Sequence, residues 1–185
     1  MPDAVKTLHH LAPMKGNRVA VITFSGGAGI MISDGLEKHG LQLAALGSEA
    51  VDRVTALSPG WMPLSNPLDI WPAVMKHGAG KVYSKALKSV LQDPGVDGVI
   101  CVAIAPLPEF SFLNVSEALN EVVESSPAQK PVTVWTYGPN TAQVQTQFEA
   151  KNRIMTYPTL ELAAQALAWL RDRCEVISRE DRGIM

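Results

Sequence analysis

The stretch that decides the fold reads Arg18-Val-Ala-Val-Ile-Thr-Phe-Ser-Gly-Gly-Ala-Gly-Ile-Met-Ile-Ser-Asp34. Residues 19–24 form a short apolar, β-branched run, which is typical of a central parallel strand, and residues 30–39 predict a helix that Gly40 stops. Between them, residues 25–29 carry no bulky side chain. Backbone N–H groups there can approach an anion, and the helix directs the positive end of its dipole to the same point. We therefore predict an anion site at the carboxyl end of the first strand, formed by Ser25, Gly26, Gly27, Ala28 and Gly29.

The glycine turn by itself matches neither of the two common phosphate-binding motifs. Ile32 stands where the dinucleotide fingerprint needs its third glycine, and no Gly-Lys-Ser/Thr follows as in a Walker motif. A tight strand-to-helix turn that holds no ligand is therefore an open alternative at this point, because doubly wound folds need such turns anyway.

Strands and helices alternate along the whole chain. The apolar patterns predict strands at 19–24, 41–46, 99–104, 131–136 and 153–156, and helices at 30–39, 49–57, 80–91, 115–123, 141–151 and 159–173, with an irregular loop at 58–72. Helical crossovers between strands imply a parallel sheet covered on both faces. We therefore predict a flavodoxin-like, three-layer α/β/α fold whose five parallel strands follow the order 2-1-3-4-5, with a ligand crevice at the carboxyl ends of strands one and three.

Length and composition limit the number of domains and the kinds of partner that the chain can have. The chain has 185 residues, enough for one domain, and we divide it into a leading linker at 1–16, the domain at 17–175 and a polar tail at 176–185. A formal charge of −2 offers no basic patch for nucleic acid. Neither a signal peptide nor an apolar run long enough for a membrane is visible, so a cytoplasmic protein is expected. Cys101 and Cys174 form no Cys-x-x-Cys pair and are interpreted as free thiols, without a metal site.

A second segment, Ser65-Asn-Pro-Leu-Asp-Ile70, follows the loop that begins at Ser58. Together with the glycine turn it resembles the NDP-forming acyl-CoA ligases, relatives of succinyl-CoA synthetase. In that family a strand, a Ser/Asn-Gly-Gly-x-Gly-Ile/Leu turn and a helix with an Asp are followed by an Asn-Pro-Val/Leu-Asp segment. The matching positions here are Ser25, Gly26, Gly27, Gly29, Ile30, Asp34, Asn66, Pro67, Leu68 and Asp69. The resemblance covers residues 16–169 and identifies the chain with the second flavodoxin-like CoA-ligase domain.

The resemblance implies a role in phosphoryl transfer. In that family a phosphohistidine of the preceding domain carries the phosphoryl group, and the helix after the glycine turn would face it. The parent enzyme would use CoA, ATP or GDP/ADP, and Mg, none of them bound by this chain alone. The partners would be a CoA-binding domain, a phosphohistidine domain and an ATP-grasp domain, in the same or a separate chain. The isolated chain is expected to be inactive as a ligase.

No residue of the chain is assigned a catalytic role. His9, His10, His39 and His77 have no carboxylate or cysteine at triad or metal spacing. Asn66 and Asp69 are candidate ligand-facing residues, although a loop-shaping hydrogen bond is the simpler role for Asp69. Trp61 and Trp71 flank that segment, where they line a pocket, form an interdomain contact or close an edge of the core.

Two further functions stay open. Some protein lysine acetyltransferases carry a ligase-like region that senses small molecules and catalyses no ligation, and this chain resembles such a regulatory module as well. An independent flavodoxin-like protein that binds a phosphate-bearing ligand is the third possibility. A ligase would have phosphohistidine and ATP-grasp domains encoded beside it, whereas the regulatory module would adjoin an acetyltransferase domain.

Overall fold

The computed structural model describes residues 2–62 and 64–183; Met1, Pro63, Ile184 and Met185 lie outside the described residues, as do the side chains from residue 180 onward. The strands are β1 (Arg18–Thr23), β2 (Gln42–Leu43), β3 (Leu68–Asp69), β4 (Gly98–Ile104), β5 (Val132–Tyr137) and β6 (Ile154–Tyr157). The helices are α1 (Pro2–His10), α2 (Gly26–Lys38), α3 (Ser48–Thr55), α4 (Trp71–His77), α5 (Ala79–Gln92), α6 (Ser116–Ser125), α7 (Thr141–Glu149) and α8 (Leu160–Gly183), with a 3-10 segment at Pro108–Leu113. No described helix is both long and apolar enough to cross a membrane.

The sheet is parallel throughout and its main order is β2-β1-β4-β5-β6. This confirms the predicted order 2-1-3-4-5, but the prediction of five strands is wrong, because a sixth, two-residue strand joins the sheet. β2 pairs with the start of β1, at Arg18 and Val19, and β3 pairs with its end, at Ile22 and Thr23. Two short strands thus share one edge of β1, and the second of them comes from the segment predicted to be irregular.

Side chains that alternate along the strands build one apolar core on each face of the sheet. Val19 and Val21 face the layer that contains α1, α2 and α8, whereas Ala20 and Ile22 face the layer that contains α3 to α7. All four of these side chains are fully buried. The three-layer architecture predicted from the sequence is therefore the observed one.

The leading segment, predicted as a linker, contains helix α1, which packs against the domain. The Lys6 ammonium donates hydrogen bonds to Glu149 Oε1 (2.8 Å) and to the carbonyl oxygen of Thr156 (2.7 Å). The hydroxyl groups of Thr7 and Tyr157 lie 2.6 Å apart in the buried core. At the other end, α8 continues through the predicted tail as far as Gly183. The segments at 1–16 and 176–185 are thus mostly helical, and the domain limits of 17 and 175 stay a prediction.

Candidate functional site

Helix α2 begins earlier than the sequence predicts, so the glycine turn is the first turn of the helix itself. Ser25, with an extended backbone, occupies the N-cap position, and the helix starts at Gly26 instead of residue 30. The N–H of Gly29 donates to the Ser25 carbonyl oxygen (3.1 Å), which removes Gly29 from the predicted set of free donors. The N–H groups of Gly26, Gly27 and Ala28 precede the first intrahelical bond and have no acceptor in the helix. These three amides open at the carboxyl edge of the sheet.

The three glycines of this turn serve different purposes. A Cβ atom at Gly29 would lie 3.1 Å from Pro67 Cβ, so this glycine lets the 66–69 segment pack against α2. A Cβ at Gly26 would lie 3.1 Å from Asp69 Oδ2. At Gly27 a Cβ would meet only Ser25 Oγ, at 3.9 Å, so the space above this residue is open. Gly27 is therefore the glycine whose missing side chain leaves room for a ligand.

Asn66, predicted to face a ligand, is instead bound into the sheet. Its Oδ1 accepts from the N–H of Val21 (2.9 Å), and its Nδ2 donates to the carbonyl oxygens of Val19 (2.8 Å) and Ala44 (3.0 Å). The side-chain amide thus fills the gap between β2 and β3 along the edge of β1, where it replaces the backbone amide of a longer strand. With its donors and acceptor occupied by the sheet, Asn66 is a structural residue.

Asp69 shapes the chain where β3 turns into α4. Its Oδ1 accepts from the N–H of Trp71 at 3.4 Å, and its Oδ2 lies beside the start of α2 at Gly26. Trp71 is 46% exposed and Trp61 is 73% exposed, so neither indole closes the core. The carboxylate occupies one side of the α2 N-terminus, which leaves the side of Gly27 and Ala28 for an approaching anion.

A cleft of about 580 Å³ opens on that side, between the first turns of α2 and α8. Ser25, Gly27, Ala28 and Met31 form one wall, residues 158–161 form the other, and Trp135 and Tyr137 of β5 form the floor. The two rings are stacked, with centroids 4.9 Å apart and planes inclined by 24°. This floor was not predicted from the sequence, although Trp135 and Tyr137 are two residues apart at the carboxyl end of the strand predicted at 131–136, a spacing that places both on one face at that edge.

Helix α8 presents its N-terminus to the same cleft. The Thr159 hydroxyl oxygen accepts from the N–H of Leu162 (3.1 Å) and so caps the start of the helix. Because α2 and α8 pack side by side on one face of the sheet, the positive ends of both helix dipoles lie at this edge. Glu161 also lines the cleft, and a hydrogen bond from Lys38 holds the pKa of its carboxyl group below the ordinary value.

The histidines and cysteines lie away from the cleft. None of the four histidines lines it. His39 is the C-cap of α2. Cys101 is buried in β4, where burial raises the pKa of its thiol to about 12, and Cys174 is half-buried in α8; both are free. Within the described residues, no group of three or more His, Cys, Asp or Glu side chains is arranged to hold a metal ion.

The comparisons with known proteins agree on one family. Residues 19–171 match the model of the Ligase-CoA domain. The chain is 43% identical over 89 residues to the ADP-forming acetate–CoA ligase II of Archaeoglobus fulgidus, covering 48% of this chain and 13% of that protein. It is 30% identical over 155 residues to the α subunit of ADP-forming acetate–CoA ligase II of Pyrococcus furiosus, covering 82% of this chain and 33% of that subunit. The chain therefore spans at most a third of these two relatives.

Solved structures agree with the sequence relatives. A protein of Pyrococcus horikoshii OT3 superposes with a TM-score of 0.80 at 26% identity, covering 95% of this chain and 40% of that one. The dinucleotide-forming acetyl-coenzyme A synthetase 1 of Ca. Korarchaeum cryptofilum, solved with phosphate and ADP, gives a TM-score of 0.76 at 26% identity, covering 91% of this chain and 35% of that one. The resemblance inferred from the glycine turn and the Asn-Pro-Leu-Asp segment is confirmed. The chain belongs to the Ligase-CoA domain family.

Proposed function

We propose that the chain is the succinyl-CoA-synthetase-like module of an NDP-forming acyl-CoA ligase, and that it holds the N-terminus of α2 against a phosphohistidine of another domain during phosphoryl transfer. The observation that carries this proposal is the first turn of α2, where three backbone N–H groups without an intrahelical acceptor open at the carboxyl edge beside the unfilled space at Gly27.

The chemistry of this turn suits a phosphoryl dianion. N–H donors at a helix N-terminus, together with the helix dipole, stabilise negative charge without transferring a proton. The Ser25 hydroxyl makes no hydrogen bond to any described residue, so it adds a further donor. Since no histidine lines the cleft, the phosphoryl carrier comes from outside the described residues in this proposal. The chain's contribution is to bind and orient the group.

The relatives support the wider assignment, because their names describe ADP-forming acetate–CoA ligases and one is called a subunit α. In a complete cytoplasmic enzyme, we infer, a CoA-binding domain, a phosphohistidine domain and an ATP-grasp domain surround this module, in the same or a separate chain. CoA, Mg and a nucleotide, ATP or GDP/ADP, would be bound by those domains. The acyl group is unassigned.

Phosphate titration of the isolated chain tests the anion site. In two-dimensional NMR spectra, inorganic phosphate is expected to shift the amides of residues 26–28 first, because their N–H groups are free. Shifts confined to other parts of the chain would refute the site.

Two substitutions in the complete ligase test its role in transfer. Gly27→Val fills the open space above the free amides, whereas Asp34→Ala, the matched control, changes an exposed residue further along the same helix. We expect Gly27→Val to lower the rate of phosphoryl-enzyme formation by about 100-fold, comparable to the loss of one oxyanion-hole donor. The Asp34→Ala rate should stay within about twofold of wild type, which corresponds to a barrier change of about 0.4 kcal/mol. If both variants fold by circular dichroism and Asp34→Ala loses more activity, the proposal is wrong.

A further inference from the structure

We propose that the cleft between the first turns of α2 and α8 receives a planar ring that carries an anionic group, and that the ring packs on the Trp135–Tyr137 pair while the anion meets the free amides of α2. The occupant we assign is the phosphorylated imidazole of a partner domain, so the inference rests on the proposed function. It adds Trp135 and Tyr137 as residues that position the incoming group.

The floor of the cleft has the shape of a ring-binding surface. The indole of Trp135 and the phenol of Tyr137 are stacked and each is only partly buried, so the pair presents an aromatic face to the cleft. Ala28, Met31 and Leu160 add apolar side chains around it. Packing against such faces stabilises a flat ring by more than the burial of its area alone, whereas a free phosphate ion has no ring to pack there. The lining therefore favours an anion attached to a ring.

The polar groups of the lining are mostly donors. The Ser25 hydroxyl, the indole N–H of Trp135 and the hydroxyl of Tyr137 make no hydrogen bond to any described residue. The backbone N–H groups of Gly27 and Ala28 join them. Burial raises the pKa of Tyr137, so its hydroxyl stays protonated and able to donate at neutral pH. A set of unpaired donors at the positive ends of two helices favours an anionic occupant.

One carboxylate lines the cleft, and it is paired. Glu161 accepts from the Lys38 ammonium, and His39 Nε2 lies 4.0 Å from the same oxygen. Asp69, the other nearby acid, lies beside Gly26 and does not line the cleft. The charge that an incoming anion meets is therefore dominated by the helix ends.

The test compares three probes on the full 185-residue chain at pH 7 and constant ionic strength: phenyl phosphate, inorganic phosphate and phenol. Phenyl phosphate carries a flat ring and a phosphoryl group, and each of the others has one of these parts. We expect phenyl phosphate to shift both the Trp135 indole N–H and the Gly27 and Ala28 amides. It should bind at least about threefold more tightly than inorganic phosphate, as one aromatic contact would give.

Two variants and a control locate the effect. Tyr137→Ala should remove the preference for phenyl phosphate over inorganic phosphate, whereas Tyr137→Phe, which keeps the ring, should retain it. Phe112→Ala removes a 68% exposed aromatic ring that does not line the cleft, and should change neither affinity. If Tyr137→Ala fails to fold, the comparison of the three probes on the wild-type chain still tests whether the aromatic floor contributes to binding.

The outcomes separate this inference from the proposed function. If both phosphates bind equally at residues 26–28 and the Trp135 indole signal does not move, the aromatic floor is refuted and the anion site at α2 stands. If neither phosphate shifts the amides of α2, the proposed function itself fails. Shifts of the Trp135 indole by phenol equal to those by phenyl phosphate would also overturn the inference, since the anion would then contribute nothing.

Discussion

Replacement of Asn66 by alanine should destabilise the domain far more than its partly exposed position suggests. The substitution removes three hydrogen bonds between the side chain and the backbone of β1 and the β2 edge. The Val19 carbonyl keeps a second donor, the N–H of Ala44 at 2.8 Å, but the N–H of Val21 and the carbonyl of Ala44 lose their partner. At about 1 kcal/mol for each bond, and more for each orphaned group, the free energy of unfolding should fall by about 3 kcal/mol. For a domain of this size that corresponds to a decrease in Tm of roughly 6–12 °C.

Urea unfolding followed by far-ultraviolet circular dichroism measures this change. Asn140→Ala is the matched control, because that half-buried side chain donates a single hydrogen bond, to Gln143 Oε1 at 3.0 Å, and its loss should cost about 1 kcal/mol. Asn66→Asp should be at least as damaging as alanine, since a carboxylate oxygen would then face two carbonyl oxygens. A loss below about 1 kcal/mol for Asn66→Ala would show that water replaces the side-chain amide, and the interpretation of Asn66 as a substitute strand residue would be wrong.

Three other expectations follow from the packing and the charges. Gly98→Ala should lower the free energy of unfolding in urea by about 1–3 kcal/mol, because a new Cβ would lie 2.9 Å from a buried methionine sulfur; an unchanged midpoint would contradict this. At pH 8, Ellman's reagent should titrate Cys174 in the native chain and reach Cys101 only after denaturation, because burial raises the pKa of Cys101 to about 12; two rapid native thiols would refute it. Burial opposes ionisation of Glu149, but hydrogen bonds from Lys6 and Thr156 outweigh it and lower the pKa of this carboxyl group. The group therefore stabilises the fold above its unfolded pKa, and this contribution is lost as the pH falls through the lowered folded pKa. Lys6→Met should weaken the dependence of the urea midpoint on acid below about pH 4.5.

Periodicity predicted the long elements well and the short ones poorly. The strands that became β1, β4, β5 and β6 are apolar runs of four to seven residues, and their alternation with helices suffices for the parallel order. β3 has two residues, too few for any period, so it was assigned to a loop. Asn66 was misassigned for a related reason: a side chain that replaces a strand's backbone leaves no pattern in the sequence.

The candidate site was predicted from one wall only. The glycine turn was located correctly. Because glycine has a low helix propensity, the helix was predicted to start at residue 30, four residues too late. In the structure, packing against β3 and Pro67 extends the helix back to Gly26. Trp135 and Tyr137 belong to a different βα unit, more than 100 residues away in sequence, and only the assembled sheet brings them beside α2. Local patterns place each residue at an edge of the sheet but do not show which helix it will contact.

The contacts of α1 also bear on the order in which the domain assembles. Thr7 and Tyr157, whose hydroxyl groups meet in the core, are 150 residues apart, and the guanidinium of Arg173 donates to the Leu8 carbonyl across 165 residues. Contacts of such separation form late, because closing a long loop is entropically costly. During synthesis, the contacts of α1 can therefore form only after β6 and α8 have left the ribosome. Until then Lys6 lacks its two acceptors, Glu149 and the Thr156 carbonyl, and the side of α1 that packs on the domain is uncovered.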